Sequence, residues 1–181
     1  MPEWFGGSTL NPDMIMPRAD QWKPQWDRVL RWYGRMNQVR IKCQRSALDM
    51  SDIDLVIAFF QNCYHLRDWI QSCRPDCHEK IDALFADNFE MAGCRDLCNG
   101  FKHKALTRAS LDSDFNLYRE YDHFAVEVGQ NPIQYSVAFA DGDDLRKYDL
   151  FDFGERCFRL WDKFILELDA RSASERKRSQ S

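Results

Sequence analysis

The spacing of apolar residues changes twice along this chain, and this change limits the folds that it can adopt. Between positions 24 and 106 apolar residues recur every three or four positions, as in helices with one buried side. After Ser110 they alternate, as in half-buried strands, and helical spacing returns after Asp152. The sequence therefore predicts a mainly α protein of the α+β type. We expect an up-and-down helical bundle with a small antiparallel β-meander inserted before the last helix.

The predicted elements follow from this pattern and from its breaks at Pro, Gly and Asn. Helices are expected at 24–42, 51–72, 75–85, 89–106 and 152–169. The β insertion occupies about 120–151, with strands at 124–128, 133–140 and 145–151 and a hairpin turn at Asp141-Gly142. We expect residues 1–170 to form one globular domain. The basic, serine-rich segment 171–181 is expected to be a disordered tail.

Composition excludes several classes of protein. The net charge of −4 argues against a large nonspecific nucleic-acid surface, although it allows a small basic site. Neither a signal peptide nor an apolar run of membrane-spanning length is visible, so we expect a cytoplasmic protein without a membrane partner. The motifs of P-loop proteins, Rossmann dinucleotide-binding proteins, α/β-hydrolases and zinc metalloproteases are missing.

The predicted helix 89–106 carries the strongest concentration of polar side chains able to do chemistry. Asp96, Asn99 and His103 recur one turn apart on one side of it, and Arg95 and Lys102 lie beside them. A carboxylate, an amide, an imidazole and two cations within two turns can bind a phosphate or transfer a proton. An ordinary solvated helix face is the alternative interpretation of the same row.

Two runs of sequence resemble the HEPN superfamily (higher eukaryotes and prokaryotes nucleotide-binding). They are His-Leu-Arg-Asp-Trp at 65–69 and Asp-x-x-Asn-x-x-Lys-His at 96–103. The resemblance implies a helical bundle, frequent dimers and often metal-independent RNA cleavage in toxin or defence systems. It covers about 25–110 and 150–170.

The resemblance also implies where catalysis would occur. The family signature is an arginine, often followed by asparagine, and then a histidine four to six residues after the arginine. Asn99 and His103 match its second part, whereas Cys98 occupies the position of the arginine, and Arg95 lies one turn earlier. This departure leaves a noncatalytic interaction or regulatory module on the same fold as the alternative function.

Each candidate residue has a chemical role in this hypothesis. His103 would act as the base and His65 as a second acid or base, because imidazole titrates near neutrality. Asn99 would orient the RNA, and Arg95 or Lys102 would offset the developing negative charge. The predicted substrate-binding residues are Lys102, Asp68 and Asp96. Asp68 or Asp96 would also hold an imidazole in one tautomer. We expect one cluster between the second and the fourth helix, formed by His65, Asp68, Asp96, Asn99 and His103, and we expect no cofactor.

Structural roles compete with this hypothesis. His103 can cap a helix C-terminus, and His65 with Asp68 can be a buried, satisfied pair that orders the bundle. The seven cysteines indicate reduced thiols, and a metal site is less favoured. The metal-site alternatives are zinc at Cys73, Cys77, Cys94 and Cys98, or a metal at His65, Asp68 and His103. The many large apolar residues predict a homodimer, and RNA is the other predicted partner.

Overall fold

A computed structural model describes residues 18–44, 48–102, 116–121, 133–141 and 144–179. The helices are α1 (Lys23–Cys43), α2 (Met50–Cys73), α3 (His78–Asp87), α4 (Phe89–Lys102) and α5 (Leu150–Ser179). Short 3-10 helices precede α1 (Arg18–Asp20) and α3 (Pro75–Cys77). The strands β1 (Asn116–Tyr121), β2 (Ile133–Asp141) and β3 (Asp144–Asp149) pair antiparallel in the order β1–β2–β3. The predicted fold class, a mainly α bundle with a β-meander before its last helix, is confirmed.

Helices α1 and α2 form an antiparallel pair. Lys42, near the end of α1, contacts Asp52 in the first turn of α2, whereas Gln25, near the start of α1, donates to the Asn62 side chain at 3.1 Å. The start of α5 closes over this pair. A Cβ on Gly154 of α5 would lie 2.7 Å from the sulfur of Met36, so a larger residue there would force the buried Met36 side chain to shift.

Helix α4 lies at the centre of the bundle and contacts α2, α3 and α5. Its residues from Met91 to Leu97 are buried except for Arg95, which is half-buried. The core around it is apolar and aromatic, with Phe59, Phe60, Leu66, Ile81, Phe153 and Trp161 among its largest fully buried side chains. A polar residue on α4 therefore lies close to this core rather than on a solvated face.

Aspartates begin the two longest helices. Asp49 accepts the backbone N–H of Asp52, and the Asp52 carboxylate accepts the N–H of Asp49, which makes a capping box for α2. Asp149 accepts the backbone N–H groups of Phe151 and Asp152 at 3.0 and 2.8 Å. This cap starts α5 at Leu150, two residues before the predicted start, and ends β3 at Asp149 rather than at position 151.

The C-terminal segment differs from its prediction as a disordered tail, because α5 continues through Ser179. Helix propagation is favourable once a helix has been nucleated, and 170–179 contains alanine, glutamate, lysine and arginine. Ser172 is also fastened to the body, since it accepts a hydrogen bond from Arg74 Nη1 at 2.8 Å.

The β-sheet begins earlier than predicted. Strand β1 starts at Asn116, and its residues pair with 133–138 of β2. The sequence did not predict this start because the charged Arg119-Glu120 pair interrupts the alternation of apolar and polar residues. The strand predicted at 124–128 lies outside the described residues. The predicted second strand and the hairpin that joins it to the third are confirmed by the pairing of β2 with β3. The sheet packs on the bundle through ring contacts among Phe89, Phe139, Tyr148 and Phe153.

Candidate functional site

The predicted catalytic row on α4 is only partly accessible. Asp96 has no exposed surface, and its Oδ1 lies 3.9 Å from Nε of Arg95, whose side chain is 35% exposed. Asn99 lies one turn after Arg95 and is half-buried. Lys102 ends α4, but its side chain is outside what the structure describes, and so is the whole of His103. Arg95 and Asn99 thus share one narrow accessible side of an otherwise buried helix.

The two predicted site residues on α2 lie in a different environment. His65 and Asp68 are exposed, on the side of α2 opposite its buried positions. The interpretation of these two as a buried pair is therefore wrong. Since Asp96 is fully buried while His65 and Asp68 face solvent, these three do not form one buried cluster. The polar side of α2 is outermost because its apolar side fills the core.

Four cysteines meet where α2, α4 and α5 pack together: Cys63, Cys94, Cys98 and Cys157. Burial raises the pKa values of the Cys63 and Cys157 thiols, while the contact with Cys157 and burial raise the pKa of Cys94. The Cys157 thiol donates to the Glu90 carbonyl at 3.2 Å. These thiols act as small core residues. Across the described part of the chain, no group of three or more His, Cys, Asp or Glu side chains is arranged to hold a metal ion.

A second concentration of charge lies on α1, which contains six basic residues and one acidic residue, Asp27. Three of the basic residues tie α1 to its neighbours. Lys23 contacts Asp20 and Asp169, Arg40 contacts Asp152 and Glu155, and Lys42 contacts Asp49 and Asp52.

The remaining three, Arg28, Arg31 and Arg35, are exposed, and none of them makes an ion pair with a residue that the structure describes. Asp27 precedes Arg31 by one turn but does not pair with it. The middle of α1 therefore presents positive charge that no described carboxylate neutralises.

Two tryptophans lie beside these arginines. The guanidinium of Arg35 lies 4.5 Å from the Trp32 ring centroid, and that of Arg28 lies 5.4 Å from the centroid of Trp69 on α2. Trp69 is 38% exposed. We call Arg28, Arg31, Arg35, Trp32 and Trp69 the Arg–Trp ridge. Cation–π contact holds a guanidinium in place without neutralising its charge.

The ridge is anchored to the body through neutral groups. Arg28 Nη1 donates to Oε1 of Gln25 at 3.0 Å, and buried Gln25 in turn donates to the carbonyl and side-chain oxygens of Asn62 on α2. Neutral acceptors position the Arg28 guanidinium but leave its full charge for an external anion. The sequence carries a signal for the ridge, because Arg28, Arg31 and Arg35 follow i, i+3, i+7 spacing on one side of a helix. None of the three was among the residues predicted to form a site.

Comparison with family profiles, with curated proteins and with solved structures found no match to this chain. The candidate sites therefore depend on the geometry alone. Among the helices that the structure describes, none combines the length and the apolarity needed to cross a bilayer.

Proposed function

We propose that this chain is a helical module that binds single-stranded RNA through the Arg–Trp ridge, in a regulatory rather than a catalytic role. The observation that carries the proposal is that Arg28, Arg31 and Arg35 are exposed beside two tryptophans and have no carboxylate partner among the described residues. Guanidinium groups suit phosphates because their planar forks donate two parallel hydrogen bonds.

The ridge fits a single strand better than a duplex. Arg28 and Arg35 are seven residues apart on α1, which is about 10 Å along a helix axis. Such a site reaches only a short run of phosphates, whereas double-stranded RNA is recognised across successive grooves. Unstacked bases can also pack on exposed aromatic rings, and Trp69 offers such a surface.

The charge of the whole chain sets the expected strength of binding. A net charge of −4 repels a polyanion at long range, so the ridge must act as a local site in a repulsive field. Binding should therefore be modest and should weaken as salt displaces the contacts.

The test is the affinity for a fluorescently labelled oligouridylate, measured by anisotropy at low ionic strength. We expect the triple variant R28Q/R31Q/R35Q to lose about tenfold or more in affinity, because it removes the three phosphate contacts. The matched control K23Q/R40Q/K42Q removes the same charge from the same helix at positions that are already paired. It should bind much as the wild type does. Equal losses in both variants would show that only net charge matters and would reject the ridge.

RNA cleavage on α4 is a second candidate function, of the toxin or defence type implied by the HEPN resemblance. The observation that favours it is that Arg95 and Asn99 share the accessible side of α4, with Asp96 3.9 Å from Arg95 to orient it. Arg95 and Lys102 would offset charge on the phosphate, Asn99 would orient the RNA, and His103 would be the base. The exposed His65 and Asp68 take no part in this arrangement.

The same labelled RNA distinguishes the two candidates on a denaturing gel. Cleavage by the wild type that is lost in His103→Ala would support catalysis. RNA that is bound but stays intact supports the regulatory module.

The predicted homodimer stays a prediction, and Leu30, Ile41 and Leu166 are exposed apolar side chains that a second copy would cover.

A further inference from the structure

We infer that a groove between α3 and α5 binds a small carboxylate with an apolar body, a ligand unrelated to RNA. The groove has a volume of about 380 Å³. That volume lies within the usual range of small-molecule sites. Its floor is apolar and includes Leu84 of α3 with Leu160 and Phe164 of α5, all half-buried. Apolar side chains packed on the core from below provide a surface for a hydrocarbon or aromatic body.

Three cations line this floor: Lys80 of α3 and Lys163 and Arg171 of α5. Within the described ranges none of the three makes an ion pair, in contrast to Arg156 and Arg159 of α5, which pair with Glu90 and Glu155. Cations that line an apolar floor and form no ion pair with the described residues favour an amphiphilic anion.

The carboxylates of the groove narrow the class of ligand. Asp87 and Glu167 also line it, and they too form no ion pair with the described part of the chain. With three cations against two carboxylates, a single negative charge is attracted, whereas the successive phosphates of a nucleic acid would meet both carboxylates. The groove therefore favours a ligand with one negative charge over the single-stranded RNA proposed to bind the Arg–Trp ridge.

One end of the groove is suited to the charged head of the ligand. Lys80, Arg171 and the carboxylate Glu167 line both the groove and a narrow cleft that continues it towards Cys77, so two cations and one carboxylate lie at this end. Arg171 immediately precedes Ser172, whose hydroxyl accepts a hydrogen bond from Arg74, so its backbone is held in place. A carboxylate between Lys80 and Arg171 would leave its apolar body lying along Phe164 and Leu84 towards Leu160.

Octanoate is the probe for this site, measured by isothermal titration calorimetry on the full chain. Octanamide and octylamine have the same hydrocarbon body with a neutral or a positive head. We expect octanoate alone to bind, and chemical-shift changes in NMR spectra to concentrate on α3 and α5. Equal binding of octylamine or octanamide would overturn the proposal, as would an absence of octanoate binding at millimolar concentration.

The variant pair K80Q/R171Q and R156Q/R159Q completes the test. The first removes both cations from the head end of the groove and should weaken octanoate binding by about tenfold. The second removes two paired cations of α5 from outside the groove, with the same change in net charge, and should leave binding unchanged. Equal weakening in the two variants would also overturn the proposal. RNA binding by the ridge does not enter any of these measurements.

Discussion

The arginines of α4 and of α1 carry the same charge in opposite settings. Arg95 lies on a helix that is buried on nearly every side, and its guanidinium is 3.9 Å from the fully buried carboxylate of Asp96. Arg28, Arg31 and Arg35 lie exposed and have no such carboxylate among the described residues. A nearby carboxylate therefore decides whether an arginine of this protein stabilises the fold or remains available to bind an external anion.

The same division exists within α1 itself. Lys23, Arg40 and Lys42 near its two ends are paired with carboxylates of neighbouring segments. In its middle, Arg28 contacts a neutral amide and an aromatic ring, Arg35 contacts an aromatic ring, and neither forms an ion pair with the described residues. One helix thus carries both a structural set and an available set of cations.

The largest expected effect is on stability, at the buried member of the α4 pair. Asp96→Ala should lower the free energy of unfolding by about 2–4 kcal/mol, because it removes a fully buried carboxylate together with its 3.9 Å contact to Arg95. Urea denaturation followed by circular dichroism measures this loss. Asp68→Ala on the exposed side of α2 is the control and should change stability by about 0.5 kcal/mol at most. Equal effects of the two substitutions would contradict the buried, structural assignment of Asp96.

A smaller, pH-dependent effect is expected where α2 meets α3. The side chain of Arg74 is buried and donates two hydrogen bonds of 2.9 Å to Asp76, which lower the pKa of Asp76 to about 2. A carboxyl with a depressed folded-state pKa stabilises the fold above its unfolded pKa, about 4, and loses that contribution as the pH falls towards 2.

The stability that this ion pair contributes is lost between the unfolded-state and the folded-state pKa of the Asp76 carboxyl. Urea denaturation at about pH 5 and at about pH 2.5 measures this loss. We expect the wild type to lose more stability on acidification than Asp76→Asn, which cannot titrate at that position. If both proteins lose the same amount, the Arg74–Asp76 pair does not couple protonation to folding.

Local signals in the sequence predicted most of the fold. The 3.6-residue period located α1 to α4 to within a few residues, and alternation located β2 and β3. The start of α5 was missed because Asp149 could equally end a strand or cap a helix. The extension of α5 past position 170 is accompanied by a hydrogen bond between Arg74 and Ser172, which the sequence could not show because they are 98 residues apart.

The candidate site was harder to predict because it depends on the number of neighbours around each helix. The row Asp96, Asn99 and His103 has the spacing of a solvated face, but α2, α3 and α5 surround α4 and bury Asp96. The arginine spacing on α1 was visible. The sequence did not show which cations of α1 are neutralised, since the partners of Arg40 lie 112 and 115 residues away.

The salt dependence of RNA binding tests the central claim most directly, because its slope reports the number of phosphate contacts. Three contacts to a single strand predict a slope of about −2 for the logarithm of the association constant against the logarithm of salt concentration. We expect this slope to fall towards zero in R28Q/R31Q/R35Q and to stay unchanged in K23Q/R40Q/K42Q. The same slope in the wild type and in R28Q/R31Q/R35Q would contradict this claim.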